Sequence, residues 1–177
     1  MLLVVENRYD LPVEYAKLLV DLAWEKRCNI MFWRGPRRSV WWTRKRMIKH
    51  FLEQYPDYTH TLFLDTDVIP QKDDFLESLI LHEKDIVSGY YCDTAGKPCS
   101  YSEGEHRIGT NLEEVEWFSM GFSLMKREVL EKIEYPQPKP VEKLDADTEF
   151  CTLARENGYK IYQDFNNRAH HLLRGAF

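Results

Sequence analysis

The chain has 177 residues, and 24 basic against 29 acidic side chains leave a formal charge of -5. With 44% hydrophobic and 30% charged residues it has enough apolar mass for one sizeable core and reads as globular, not disordered. The negative balance excludes a protein whose whole surface is a cation for nucleic acid, and no apolar run reaches membrane-spanning length.

Met1–Val5 is apolar, but Glu6, Arg8 and Asp10 follow at once. That is not the pattern of a signal peptide, and the expected compartment is the cytoplasm. Leu2–Val5 reads as a first strand, and Val13–Trp24 as a helix introduced by Pro12. Asn29–Trp33 is a second strand, broken by Arg34-Gly35-Pro36, and Val40–Gln54 returns as a helix. Thr61-Leu62-Phe63-Leu64 is continuously apolar, as a central strand covered on both faces should be. Phe75, Leu76, Leu79 and Ile80 repeat at helical spacing, and Asp85–Tyr91 is another strand. This alternation predicts an α/β fold with a mostly parallel central sheet and helices on both faces.

The second half is less regular. Gly96–Gly109 reads as an ordered loop or an irregular strand pair. Val115–Met125 is apolar and aromatic, with a short helix around Val129, Leu130 and Ile133 behind it. Pro136, Pro138 and Pro140 make a stiff connection. Ala146–Glu156 is helical again with Gly158 as its stop, and Tyr159–Tyr162 is a last strand. Cys28, Cys92, Cys99 and Cys151 form no CxxC pair, which argues against a structural zinc site and for reduced thiols.

The chemistry concentrates where the apolar strand ends, at Asp65-Thr66-Asp67. In an open α/β sheet, ligands gather at the carboxyl ends of strands. Alternate residues point the same way, so Asp65 and Asp67 can serve one ligand. Two adjacent carboxylates repel each other, and a divalent cation removes that cost. Hard oxygen donors of this kind suit Mg²⁺ or Mn²⁺, which also take substrate phosphates. A solvated turn after a strand has the same pattern.

Further segments carry a family resemblance. Arg44-Lys45-Arg46-Met47 lies in the helix before the Asp-x-Asp strand, and Asp85-Ile86-Val87-Ser88-Gly89-Tyr90-Tyr91 follows it. Trp117-Phe118-Ser119-Met120-Gly121-Phe122 comes next, then Asp147-Thr148-Glu149-Phe150, Gly158-Tyr159 and His171. In this order the segments resemble the GT-A class of nucleotide-sugar glycosyltransferases, and the small single-domain form is similar to members encoded by archaeal viruses. Two positions depart from the class. Met47 stands where the family has Asn, and Ala146 where it has Glu before the catalytic Asp, with Asp145 the nearest acid.

The resemblance implies one domain over 1–177, with residues 1–92 for the nucleotide-sugar and metal and 93–177 for the acceptor side. It implies an inverting, metal-dependent transfer of sugar from a UDP- or GDP-sugar to a hydroxyl of a glycan, protein or lipid. Asp67 and Asp65 would hold Mn²⁺ or Mg²⁺, with His171 completing the shell and His170 the weaker candidate. Asp65, Arg44, Arg46 and Gly121 would meet the donor, and Gly89 would let the backbone approach it. Asp147 would be the general base, with Asp145 and Glu149 as competing carboxylates.

Two other readings compete. Asp65-Thr66-Asp67-Val68 also resembles the nucleophile motif of haloacid-dehalogenase-type phosphatases, with Asp65 as nucleophile, although that motif normally lies on a first strand. Arg34, Arg37, Arg38, Arg44, Lys45, Arg46 and Lys49, interleaved with Trp33, Trp41 and Trp42, would suit a non-catalytic nucleotide or nucleic-acid binding module.

Overall fold

Strands and helices alternate through the first half of the computed structural model, which describes residues 2–6, 11–33, 40–93, 95–102, 105–106, 108–136 and 146–172. The first half runs β1 (Leu2–Glu6), α1 (Val13–Trp24), β2 (Asn29–Trp33), α2 (Val40–Gln54), β3 (His60–Leu64), β4 (Val68–Pro70), α3 (Phe75–Leu81) and β5 (Ile86–Tyr90). The second half adds β6 (Ser100–Ser102), β7 (Glu105–His106), β8 (Leu112–Glu114), β9 (Trp117–Phe118), β10 (Phe122–Lys126), α4 (Arg127–Lys132), α5 (Ala146–Glu156) and β11 (Ile161–His171). No helix among the described residues is long and apolar enough to cross a membrane.

The main sheet is ordered β2-β1-β3-β10-β5-β11-β4, with β8 also paired to β11. A mostly parallel sheet was expected, and the described strands correct this. Three pairings are parallel, β1 with β2, β1 with β3, and β5 with β11. Four are antiparallel, because β10 inserts between β3 and β5, and β4 and β8 both run against β11. The cause lies in the second half. β10 arrives from a short excursion through β6–β9 and not by a helical crossover, so no rule forces it parallel.

Side chains alternate across the central strand, as a doubly covered strand requires. Leu62 and Leu64 pack with Tyr15, Leu19 and Leu22 of α1 and with Phe75 and Leu79 of α3. Phe63, between them, packs in a second cluster with Met47 and Phe51 of α2, Val129 of α4 and Phe150 of α5. Helices therefore cover both faces. Gly89, expected near the donor, lies in this packing instead: a Cβ there would stand 2.0 Å from the Phe122 ring. Gly158, with φ +85°, ends α5 as the sequence predicts.

The last strand is longer than Tyr159–Tyr162. It runs to His171, with a register shift between Asp164 and Arg168, and its end pairs with β4 as Ala169↔Pro70, His170↔Ile69 and His171↔Val68. This pairing carries His171 from the far end of the chain to the Asp-x-Asp turn.

Candidate functional site

Asp65 leaves the end of β3 under tight backbone control. Tyr15 Oη donates to Leu64 O at 2.7 Å, Asp65 N donates to Gly121 O at 2.9 Å, and Val68 N closes the turn onto Asp65 O at 2.9 Å. Burial, and then the neighbouring Asp65 and Asp67, push the Tyr15 phenol well above its ordinary pKa, so it remains a donor.

Arg44 projects from the first turns of α2 to the same place. It is only 3% exposed, and its neighbours account for that. Nη2 donates to the two Asp65 oxygens at 3.2 and 3.1 Å, and Nη1 to the two Asp147 oxygens at 2.5 and 2.6 Å. One guanidinium thus joins the carboxylate at the end of β3 to the carboxylate at the start of α5. Arg is suited to this because its donors form a fixed planar fork.

Asp147 is buried and occupied. Besides Arg44, Tyr135 Oη donates to Oδ1 at 2.6 Å, while Met120 N and Ser119 Oγ donate to Oδ2 at 3.0 and 3.3 Å. Burial pushes the Asp147 carboxyl up, but the charge of Arg44 and these hydrogen bonds outweigh it and hold it below its ordinary 3.8. The group is a stable anion and a weak base. Tyr135 and Ser119 were not picked out in the sequence, where a lone Tyr before Pro136 and a Ser among apolar residues carry no signal of a shared partner.

The second cluster holds Asp67 and His171. His171 Nδ1 donates to Cys92 O at 3.1 Å, which in a neutral ring puts the lone pair on Nε2. That nitrogen lies 3.7 Å from Asp67 Oδ1. Tyr91 meets the His171 ring edge-on, with centroids 5.7 Å apart, and Leu172 N donates to Asp67 O at 2.6 Å. A histidine whose other nitrogen is tied to a carbonyl is arranged as metal-binding histidines are. The pair fits one small cation, since ligands each about 2.1 Å from an ion are separated by roughly 3–4 Å. Among the described residues no three His, Cys, Asp or Glu groups form a ready cage. Mg²⁺ and Mn²⁺ rarely need one, because water and substrate phosphate fill the remaining positions.

Gly121 belongs to the first cluster. A Cβ at that position would stand 2.5 Å from Tyr91 Oη and 2.6 Å from Asp65 Oδ2. What approaches the Gly121 backbone is therefore the Asp65 carboxylate and the Tyr91 hydroxyl. Gly121→Ala is expected to push Asp65 off Arg44 and to lower stability by about 1–3 kcal/mol. Urea unfolding of the variant checks this, and an unchanged midpoint would mean that both side chains shift without cost.

Arg46 is not brought to this site. Two positions along a helix turn a side chain by roughly 200°, and Arg46 is exposed with its guanidinium 4.9 Å from the Trp42 ring centroid. Met47, next to Arg46, is buried in the core. His170 is exposed, with Nδ1 3.4 Å from Gln71 Nε2. Asp145, Arg34, Arg37 and Arg38 lie outside the described residues.

Comparisons with known proteins agree on the fold. The structure of A197 from STIV superposes with a TM-score of 0.77 at 24% identity, over 97% of this chain and 85% of that one. The catalytic domain of Drosophila beta1,4galactosyltransferase 7, in complex with xylobiose, superposes at 0.59 and 15% identity, over 98% of this chain and 71% of that one. The glycosyltransferase-like fold expected from the sequence is thus shown. No protein-family model and no curated protein matches the sequence.

Proposed function

We propose that this chain is a metal-dependent glycosyltransferase that moves a sugar from a UDP- or GDP-sugar to an acceptor hydroxyl, with inversion at the anomeric carbon. The observation that supports it most is the pairing of Asp67 with a tautomer-fixed His171 at the carboxyl end of a central strand, on a fold like that of a galactosyltransferase catalytic domain. Fold alone would not carry an activity; the residues at the strand end support this one.

In this reading Asp67 and His171 hold Mn²⁺ or Mg²⁺, and Asp65 lies beside them. A bound cation would offset the charge that gathers on the diphosphate as the sugar leaves. Arg44 keeps Asp65 oriented and sets Asp147 in place. Asp147 takes the proton of the acceptor hydroxyl. Its low basicity fits only a late transfer, made as the bond from the anomeric carbon to the phosphate oxygen breaks. Glu149, half-buried on the same turn of α5, is the alternative acid. The phosphatase motif normally lies on a first strand, whereas Asp65 follows β3, with two βα units before it.

The test is release of free nucleoside diphosphate from a panel of UDP- and GDP-sugars with Mn²⁺. Release from at least one donor, abolished by chelation, is the expected result. Release from none, or phosphate release from simple phosphomonoesters instead, would contradict the proposal.

A further inference from the structure

A second concave surface lies outside the site. Helix α2 and the segment from α4 to Tyr135 enclose a groove of about 780 Å³, within the size range of ligand pockets. Trp41, Trp42, Lys45 and Arg46 line one wall, and Ile133 and Tyr135 the other. Tyr135 lies between the groove and the site: the residue borders the groove, and its buried side chain donates its hydroxyl to Asp147.

The lining selects a class of ligand. Its four cations are nearly balanced by three carboxylates, and Lys45 bonds Glu134 across the groove at 2.6 Å. A surface for a polyanion would leave the cations in excess. Indole rings beside donors and acceptors of both signs suit a neutral, polyhydroxylated ligand. The apolar C–H face of a sugar ring lies on the aromatic side chain, and its hydroxyls both donate to carboxylates and accept from cations.

We infer that this groove binds a neutral oligosaccharide, which on the proposed function is the sugar chain of the acceptor. Trp42 is the platform, with the Arg46 guanidinium 4.9 Å from its ring centroid.

A glycan microarray probed with the labelled protein, without donor or metal, tests the groove separately from catalysis. The wild type should be retained on a set of neutral oligosaccharides. Trp42→Ala should weaken that retention by roughly tenfold. Arg46→Ala, at an exposed position that leaves the fold intact, should weaken it several-fold. Mn²⁺-dependent binding of UDP or GDP should be the same in both variants as in the wild type. Retention on no glycan, equal retention of wild type and variants, or preferential, salt-sensitive retention of a single-stranded oligonucleotide would overturn the inference. Glycan retention without nucleoside diphosphate binding would uphold the groove and overturn the catalytic reading.

Discussion

Arg44→Ala should lower the stability of the chain by about 3–5 kcal/mol, because it leaves the buried Asp147 carboxylate without its cation. Of all the ion pairs described, this is the most buried, with the Arg44 side chain 3% and Asp147 12% exposed. Tyr135, Met120 N and Ser119 would still donate to Asp147, but three neutral donors do not replace a full charge at this depth. Arg44→Lys should recover only part, since an ammonium cannot span two carboxylates as a guanidinium does.

The pH dependence gives the sharper test. In the wild type the Asp147 pKa is held below 3.8, so the pair's contribution is present above that pH and is lost as pH falls through the lower folded value. Without Arg44, burial dominates and raises the pKa, so the variant should regain part of its deficit on acidification, when Asp147 becomes neutral. Urea unfolding of both proteins between about pH 4 and 7 reads the difference. A deficit constant over that range would mean that Asp147 is neutral in both or ionised in both.

Asp147→Asn should slow sugar transfer by on the order of a hundredfold or more. Asn matches Asp in size and in capping ability at a helix start. Asn cannot neutralise Arg44, so the variant should also lose about 1–3 kcal/mol of stability. The rate must therefore be measured below the variant's unfolding transition, at saturating donor. Loss of transfer with donor binding intact is the predicted result. A wild-type rate would move the base to Glu149, and a product that retains the donor's anomeric configuration would exclude the single-displacement scheme.

Much of the fold was legible because its first half is regular. Val13–Trp24 and Val40–Gln54 each carry a helical apolar face, and the strands between them are short apolar runs, so their limits were read almost to the residue. Strand direction is not written in apolar periodicity, which is why β10 was not seen to enter antiparallel. Strand β11 was underestimated for a different reason. Its inward positions include Gln163 and Asn167, both buried, so the alternation of burial is hidden behind polar side chains.

The site was legible by residue type and less so by partner. Asp65, Asp67, Arg44, Asp147 and His171 were all named from the sequence, and the fold gathers them in two adjoining clusters. Arg44 and Arg46 lie in one basic run, and both are expected from the sequence to meet the donor. The long-range bonds that distinguish them, from α2 to the start of α5, leave no mark on local sequence.

The central claim is a metal-dependent donor site, and calorimetric titration of UDP and GDP with and without Mn²⁺ tests it most directly, on the wild type and on Asp67→Ala. The wild type should bind one of the two nucleotides with Mn²⁺ and neither when the metal is chelated. Asp67→Ala should lose this binding while unfolding at nearly the wild-type temperature, because Asp67 lies on a partly exposed turn and not in the core. Equal binding with and without metal, or undiminished binding by Asp67→Ala, would contradict the account.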